Sequence, residues 1–297
     1  MTASTIQQGS TIRDVIMVFK PRIAVAIALS AAGGIAITQG PAPDFGRLVL
    51  LTIAVFLAAG SAGAFNQWVE ADLDGRMKRT ANRPFVTGQF NPGVVWLTAI
   101  LGVLLGSVLL AGFATNWWAA LYTFLGAFTY GIIYTVWLKR RSWTNIIFGG
   151  LAGSFAVLAG AAAVNPTISI EGWLLTLALF LWTPPHFWSL AMVSSDDYAR
   201  ANVPMLPLVV GKNVCAWVIL AHTVVLSLVS LIPAFYGMGA IYLTGAAIGG
   251  AVFTWTSIAL VRNPDKPHAL RNFFASLLQL CLLLGGAITE WALRGLA

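Results

Sequence analysis

The chain has 297 residues, 58% of them hydrophobic and only 9% charged, with a mean hydropathy of +0.82. Soluble domains carry about 25% charged residues, so a water-soluble globule and a disordered chain are both excluded. The formal charge of +7 is divided among short stretches between apolar runs, which reads as membrane topology and not as a nucleic-acid surface.

Apolar runs long enough to cross a bilayer, which takes about 20 residues, fall at 22–40, 48–68, 93–114, 117–138, 144–164, 172–193, 214–234, 239–261 and 273–293. The expected fold class is therefore all-α: a polytopic membrane protein built as a nine-helix transmembrane bundle, one domain over 1–297. Residues 1–21 read as a cytoplasmic or interfacial arm without a cleavable signal. Within it Ile12, Val15, Ile16 and Phe19 share one side of a short amphipathic helix. The third and fourth runs are split at Thr115-Asn116. Cys215 and Cys281 lie in apolar stretches without metal or haem-attachment spacing and read as core residues.

With nine helices, every cation except Arg47 and Arg294 falls on one face. These include Arg13, Lys20 and Arg22, the group Arg76, Lys78, Arg79 and Arg83, and the group Lys139, Arg140 and Arg141. The positive-inside rule then places the N-terminus in the cytoplasm and the C-terminus in the periplasm. Glu70, Asp72 and Asp74 crowd the end of the second helix, and Asp196 and Asp197 the end of the sixth. A long loop follows each acidic group, and such loops are usually functional. The loops echo one another in Ala81-Asn82-Arg83-Pro84 and Ala201-Asn202-Val203-Pro204, a faint sign of duplication.

Asn66, Glu70 and Asp74 are spaced i, i+4, i+8, a helical stripe about 12 Å long. Hard oxygen ligands of this kind suit Mg²⁺, which is often completed by substrate phosphates. Two ions bridged by a diphosphate would match the length. Asp72 points away from the stripe on an ideal helix. Charged groups at a bilayer boundary are functional by default. The basic residues that follow can bind phosphate oxygens, arginine in pairs and lysine as a point charge. For Lys139, Arg140 and Arg141 the purely topological reading is equally good.

The stripe resembles the Asn-x-x-x-Asp-x-x-x-Asp signature of the UbiA-type intramembrane prenyltransferases, with Glu70 in the middle acidic slot. The resemblance covers nearly the whole chain and is closest to the haem-directed branch. It rests on Lys20-Pro21-Arg22, Arg79-Thr80-x-x-Arg83-Pro84 and Tyr134-Thr-x-Trp137-Leu-Lys139-Arg140-Arg141-Ser142. Further along come Trp182-x-x-Pro185-His186-Phe187, Asp197-Tyr198 and Val203-Pro204-Met205-Leu206-Pro207.

The resemblance implies a UbiA-type bundle in the inner membrane whose cavity opens near the cytoplasmic face. Farnesyl diphosphate would be ionised there with two Mg²⁺ ions, and the allylic cation would alkylate the 2-vinyl group of haem B. Water would then add, giving haem O. Haem is a substrate in this scheme, and haem A synthase a candidate physical partner. Asn66, Glu70, Asp72, Asp74, Asp196 and Asp197 are the candidate metal ligands. Lys20, Arg76, Lys78, Arg79, Arg83, Lys139, Arg140, Trp182 and Tyr198 are candidates for holding diphosphate or haem.

Quinone-type members carry a second Asp-x-x-x-Asp. Here Val193 and Ala201 flank Asp197 at that spacing, and Met192 and Arg200 flank Asp196. Asp196 and Asp197 supply the second acidic site in altered form, or one of them serves the substrate differently. Asp197 is the favoured participant. His186 would ligate haem iron, relay a proton in the water step, or simply hydrogen-bond a neighbouring helix. His222 reads as structural. The competing readings are an aromatic prenyltransferase of quinone synthesis and, from another class, a transporter. A transporter should hold its charges near the bilayer midplane; these lie at one interface.

Overall fold

The structure is a computed structural model and describes residues 12–40 and 44–294; positions 1–11 of the N-terminal arm lie outside the described residues. Every regular element described is helical. The first, α1 (Ile12–Val18), exposes Ile12, Val15, Ile16 and Met17 on its surface, as an interfacial helix should. It meets α2 (Pro21–Ile37) at a bend of 50°. The cause is local. Pro21 disfavours helical geometry at the residue before it, and Lys20 takes a left-handed φ of 49°.

The remaining crossings are α3 (Phe45–Val69), followed by a single turn α4 (Ala71–Asp74), then α5 (Val94–Ala114) and α6 (Trp117–Phe128). α6 runs on as a π-helix over Thr129–Leu138. Next come α7 (Asn145–Val164) and α8 (Ile170–Val193), then the short α9 (Ser195–Arg200) and α10 (Leu206–Val209) in the second long connection. α11 (Gly211–Leu231), α12 (Ala240–Arg262) and α13 (Lys266–Arg294) complete the bundle. Among the described residues eight helices are long and apolar enough to cross a membrane singly, and the bent pair α1–α2, counted as one crossing, brings the number to nine. The first crossing thus differs from the expected run: α2 has 17 residues, at the short end of what spans a bilayer, and α1 meets it at an angle instead of extending it.

Polar caps set the ends. Asp44, Asn116 and Ser169 each accept a backbone N–H from the first turn of the helix that follows. Asn116 thereby separates α5 from α6 at the expected place. Inside the spans no water is at hand, so hydroxyls return to the carbonyl four residues back, as Thr38, Thr123, Thr176 and Thr223 do. Cys215 is buried, but Cys281 faces outward, so only the first is a core residue.

Successive crossings are neighbours around a ring, and α13 closes back onto α2. Across its middle, α2 packs on α7 and α8 on α13. The α2–α7 crossing depends on two glycines. A Cβ on Gly34 would lie 2.1 Å from the Val157 carbonyl oxygen, and one on Gly160 would lie 1.9 Å from that of Ala31. Small residues let membrane helices touch backbone to backbone, where dispersion replaces the missing hydrophobic drive. This ring brings the C-terminal ends of α3 and the π-helix, the α1–α2 junction and the α8–α9 junction to one end of the bundle.

Candidate active site

The acidic stripe survives a break in its helix. α3 stops at Val69, and Glu70 leaves helical geometry with φ −101° and ψ 16°. Even so, the Glu70 N–H donates to the Asn66 carbonyl at 3.0 Å and the Asp74 N–H to the Glu70 carbonyl at 2.8 Å. The four-residue rhythm therefore passes through the break, and Asn66, Glu70 and Asp74 are all buried.

Each of the three is held by a cation from another segment. Lys20 Nζ donates to Asn66 Oδ1 at 2.5 Å. Lys139 Nζ and Asn66 Nδ2 both donate to Glu70 Oε2, at 2.5 and 2.8 Å. Arg83 donates to Asp74 Oδ2 at 2.5 Å. Lys20 and Lys139 also sit over the rings of Tyr130 and Tyr134, each 5.7 Å from the centroid. Arg83 and Lys139 are paired with the two buried carboxylates, which offsets the cost of burying those charges; Lys20 is held by neutral groups, the Asn66 amide and the Tyr130 hydroxyl.

Among the described residues the pairing leaves one oxygen of each carboxylate without a partner: Glu70 Oε1 and Asp74 Oδ1 are buried and accept no hydrogen bond. Orphaned anionic oxygens are costly and call for an explanation. A hard cation that takes oxygen ligands is the natural one, so the Asn66–Glu70–Asp74 face fits Mg²⁺. Among the described residues no three His, Cys, Asp or Glu side chains gather around one point, so any such ion needs ligands from substrate or water.

The other expected acids lie elsewhere. Asp72 is half exposed and forms a two-point pair with Arg140, at 2.7 and 2.9 Å, which holds its carboxyl below the usual range. Asp196 is exposed and paired with Lys266, which lowers its carboxyl in the same way. Asp197 pairs with Arg200 and accepts the backbone N–H groups of Lys78 and Arg79, each at 3.3 Å. It thus ties the α8–α9 junction to the basic loop after α4. Arg76, Lys78 and Arg79 are exposed on that loop, and Tyr198 is buried with Tyr134 in the core beneath it.

Residues of the π-helix join the site without having been expected there. Asn66 Nδ2 also donates to Thr135 Oγ1 at 2.9 Å, and Lys20 reaches the Tyr130 hydroxyl at 3.4 Å. An α-helix would set Tyr130 and Lys139 about 180° apart. A π-helix adds nearly one residue per turn, so nine residues make about two turns. Tyr130, Tyr134, Thr135 and Lys139 therefore share one face, directed at Asn66 and Glu70. Their spacing of four, five and nine is the signal, and a search at the α-helical period does not register it.

The second cluster lies on α8 and α13. α8 runs continuously through Pro184-Pro185, whose missing N–H groups leave two carbonyls one turn back without helical donors. His186 is buried and stacked between Trp182 (4.2 Å, 19°) and Phe273 (4.6 Å, 27°), with Phe187 edge-on at 5.2 Å. Its Nδ1 lies 2.7 Å from Ser276 Oγ. Phe273 and Ser276 were not among the expected residues; α13 bears them in an apolar run with no motif. His222 bonds the Val218 carbonyl on its own helix at 3.0 Å.

Residues 27–278 match the sequence profile of the UbiA prenyltransferase family. The chain belongs to that family. As a UbiA-family member with these apolar helices it is an integral membrane protein. It is 54% identical to protoheme IX farnesyltransferase 2 of Paramagnetospirillum magneticum, over 94% of this chain and 96% of that protein. Identity to protoheme IX farnesyltransferase 1 of the same organism is 48%, over 92% and 96%. Among solved structures, a UbiA homolog from Archaeoglobus fulgidus bound to DMAPP and Mg²⁺ superimposes with a TM-score of 0.71, covering 90% of this chain and 98% of that one. At 13% identity this last likeness speaks to the fold alone.

Proposed function

We propose that the chain transfers the farnesyl group of farnesyl diphosphate to the 2-vinyl group of haem B, with addition of water, giving haem O. The observation that carries the diphosphate half is the pair of orphaned oxygens on Glu70 and Asp74, buried among Lys20, Arg83 and Lys139. The acceptor half follows from the protoheme IX farnesyltransferase relatives and from the aromatic cage around His186. Asn66, Glu70 and Asp74 would hold one or two Mg²⁺ ions, which would supply Lewis-acid stabilisation of the leaving diphosphate.

The chain's own residues do the rest. Arg83 and Lys139, each paired with a buried carboxylate, place positive charge where negative charge accumulates as the C–O bond to the farnesyl C1 breaks, and Lys20 adds hydrogen-bond donors beside Asn66. Arg76, Lys78 and Arg79 approach from the loop that Asp197 anchors, so Asp197 acts by positioning. The vinyl electron pair closes on C1, and the cation left beside the porphyrin takes water, which loses one proton. Trp182 and Phe273 flank the imidazole with apolar rings and fix its plane, and His186 between them is placed to bind iron or to accept that proton. Arg140, paired at the surface with Asp72, and Tyr198, buried in the core, support the site from outside.

The reading places the protein in the inner membrane as one catalytic unit, with the basic end of the bundle in the cytoplasm, and makes haem A synthase a candidate recipient of the product. The test is direct. Purified protein is incubated with farnesyl diphosphate, Mg²⁺ and haem B, and the pigment is extracted for mass analysis. Haem O is the expected product; prenylation of 4-hydroxybenzoate with haem untouched would move the chain to the quinone branch.

A further inference from the structure

The contacts of Ser276 fix more than its own place. Its hydroxyl donates to the Phe273 carbonyl at 2.6 Å, and the same oxygen lies 2.7 Å from His186 Nδ1. A serine hydroxyl has one proton. With that proton on Phe273, Oγ can only accept from the imidazole, so Nδ1 bears the hydrogen and the lone pair of the neutral ring lies on Nε2. Nε2 has no hydrogen-bond partner among the described residues. The Ser276 carbonyl in turn accepts the Trp182 indole N–H at 2.8 Å, and Trp182 and Phe273 cover the two faces of the imidazole. One residue of α13 therefore sets both the tautomer of His186 and one ring of the stack that prevents it from turning over.

We propose that Ser276 is a positioning residue for the acceptor half-reaction, holding His186 as the Nδ1-protonated tautomer so that Nε2 is the nitrogen presented to iron or to a proton. The role in the reaction rests on the acceptor-side reading of His186; the tautomer assignment does not. The chain has three histidines, so ¹⁵N-histidine labelling of the detergent-solubilised protein resolves the tautomer, with His186→Gln identifying the signal. The wild type and Ser276→Thr, which keeps a hydroxyl, should show His186 protonated at Nδ1. Ser276→Ala should show the Nε2-protonated form or a mixture. Its kcat for haem O should fall about tenfold, the usual order for a lost orienting hydrogen bond, with the KM for farnesyl diphosphate unchanged.

A wild-type ring protonated at Nε2, or a Ser276→Ala spectrum identical to that of the wild type, would overturn the assignment. So would loss of folded protein in Ser276→Ala together with full activity in a folded Ser276→Leu. If the tautomer does follow Ser276 while His186→Ala makes haem O at the wild-type rate, the acceptor-side reading fails and takes with it the role of Ser276 in the reaction.

Discussion

Lys139 and Glu70, 69 residues apart in the chain, meet at 2.5 Å in a site where neither side chain is more than 9% exposed. Removing one member of such a pair strands the other charge, at a cost of about 3–5 kcal/mol. Lys139→Met should therefore lower the unfolding temperature in detergent markedly. The double variant Glu70→Gln, Lys139→Met should recover most of that loss and remain inactive. A Lys139→Met protein as stable as the wild type would mean that the pair is solvated.

The π-helix accounts for how Lys139 gets there. Deleting Val136, an outward-facing residue, should let the segment relax to α-helical register and turn Lys139 and the end of the span away from Glu70. Prenyl transfer should drop by about two orders of magnitude or more, as misplacement by an ångström already costs about a hundredfold. Val136→Ala, which keeps the length, should be close to wild type. Equal activity in the two variants would show that the π register is dispensable.

The orphaned oxygens predict the metal dependence. Asp74→Asn keeps an acceptor for Arg83 but removes the charge that would face the ion. Farnesyl diphosphate binding, measured by titration calorimetry with and without chelator, should lose its Mg²⁺ dependence, and turnover should stop. Persistent turnover in excess chelator would remove the metal from the mechanism.

Asp72 tests the division between buried and surface acids. Its depressed carboxyl means that the pair with Arg140 stabilises the fold at neutral pH, above the unfolded pKa of about 4. That contribution is lost as pH falls through the lower folded value. Asp72→Asn should therefore cost less than about 1 kcal/mol at pH 7, since the pair is exposed and screened. The difference from wild type should vanish in acid, and turnover should remain within about twofold. Abolished turnover would return Asp72 to the metal site.

Topology is tested at described, exposed positions. In a background without Cys215 and Cys281, cysteine at Arg141 should be labelled only from the cytoplasmic side and cysteine at Thr167 only from the periplasmic side. Reaction of both from one side would break the odd-numbered crossing pattern.

The crossings could be read from the residues alone because a bilayer interior offers no water. Each span must satisfy its own backbone, and so must be a continuous apolar run with its caps beside it, as at Asp44, Asn116 and Ser169. The Asn66–Glu70–Asp74 stripe was legible for a related reason: side chains four residues apart share a helix face whatever surrounds the helix. The cations that hold those acids were visible as charges, but the partners of each were not. Lys139 reaches Glu70, and Arg140 next to it reaches Asp72, only because α3 and the π-helix pack at one register. Asp72 and Asp196 carry the same charge as Glu70 and Asp74, yet packing puts the first two in solvent and the second two in the interior. Ser276 and Phe273 bear no local mark at all. Their roles come from α13 lying against α8, a contact spanning 90 residues of chain, and only tertiary structure can decide a hydrogen bond of that kind.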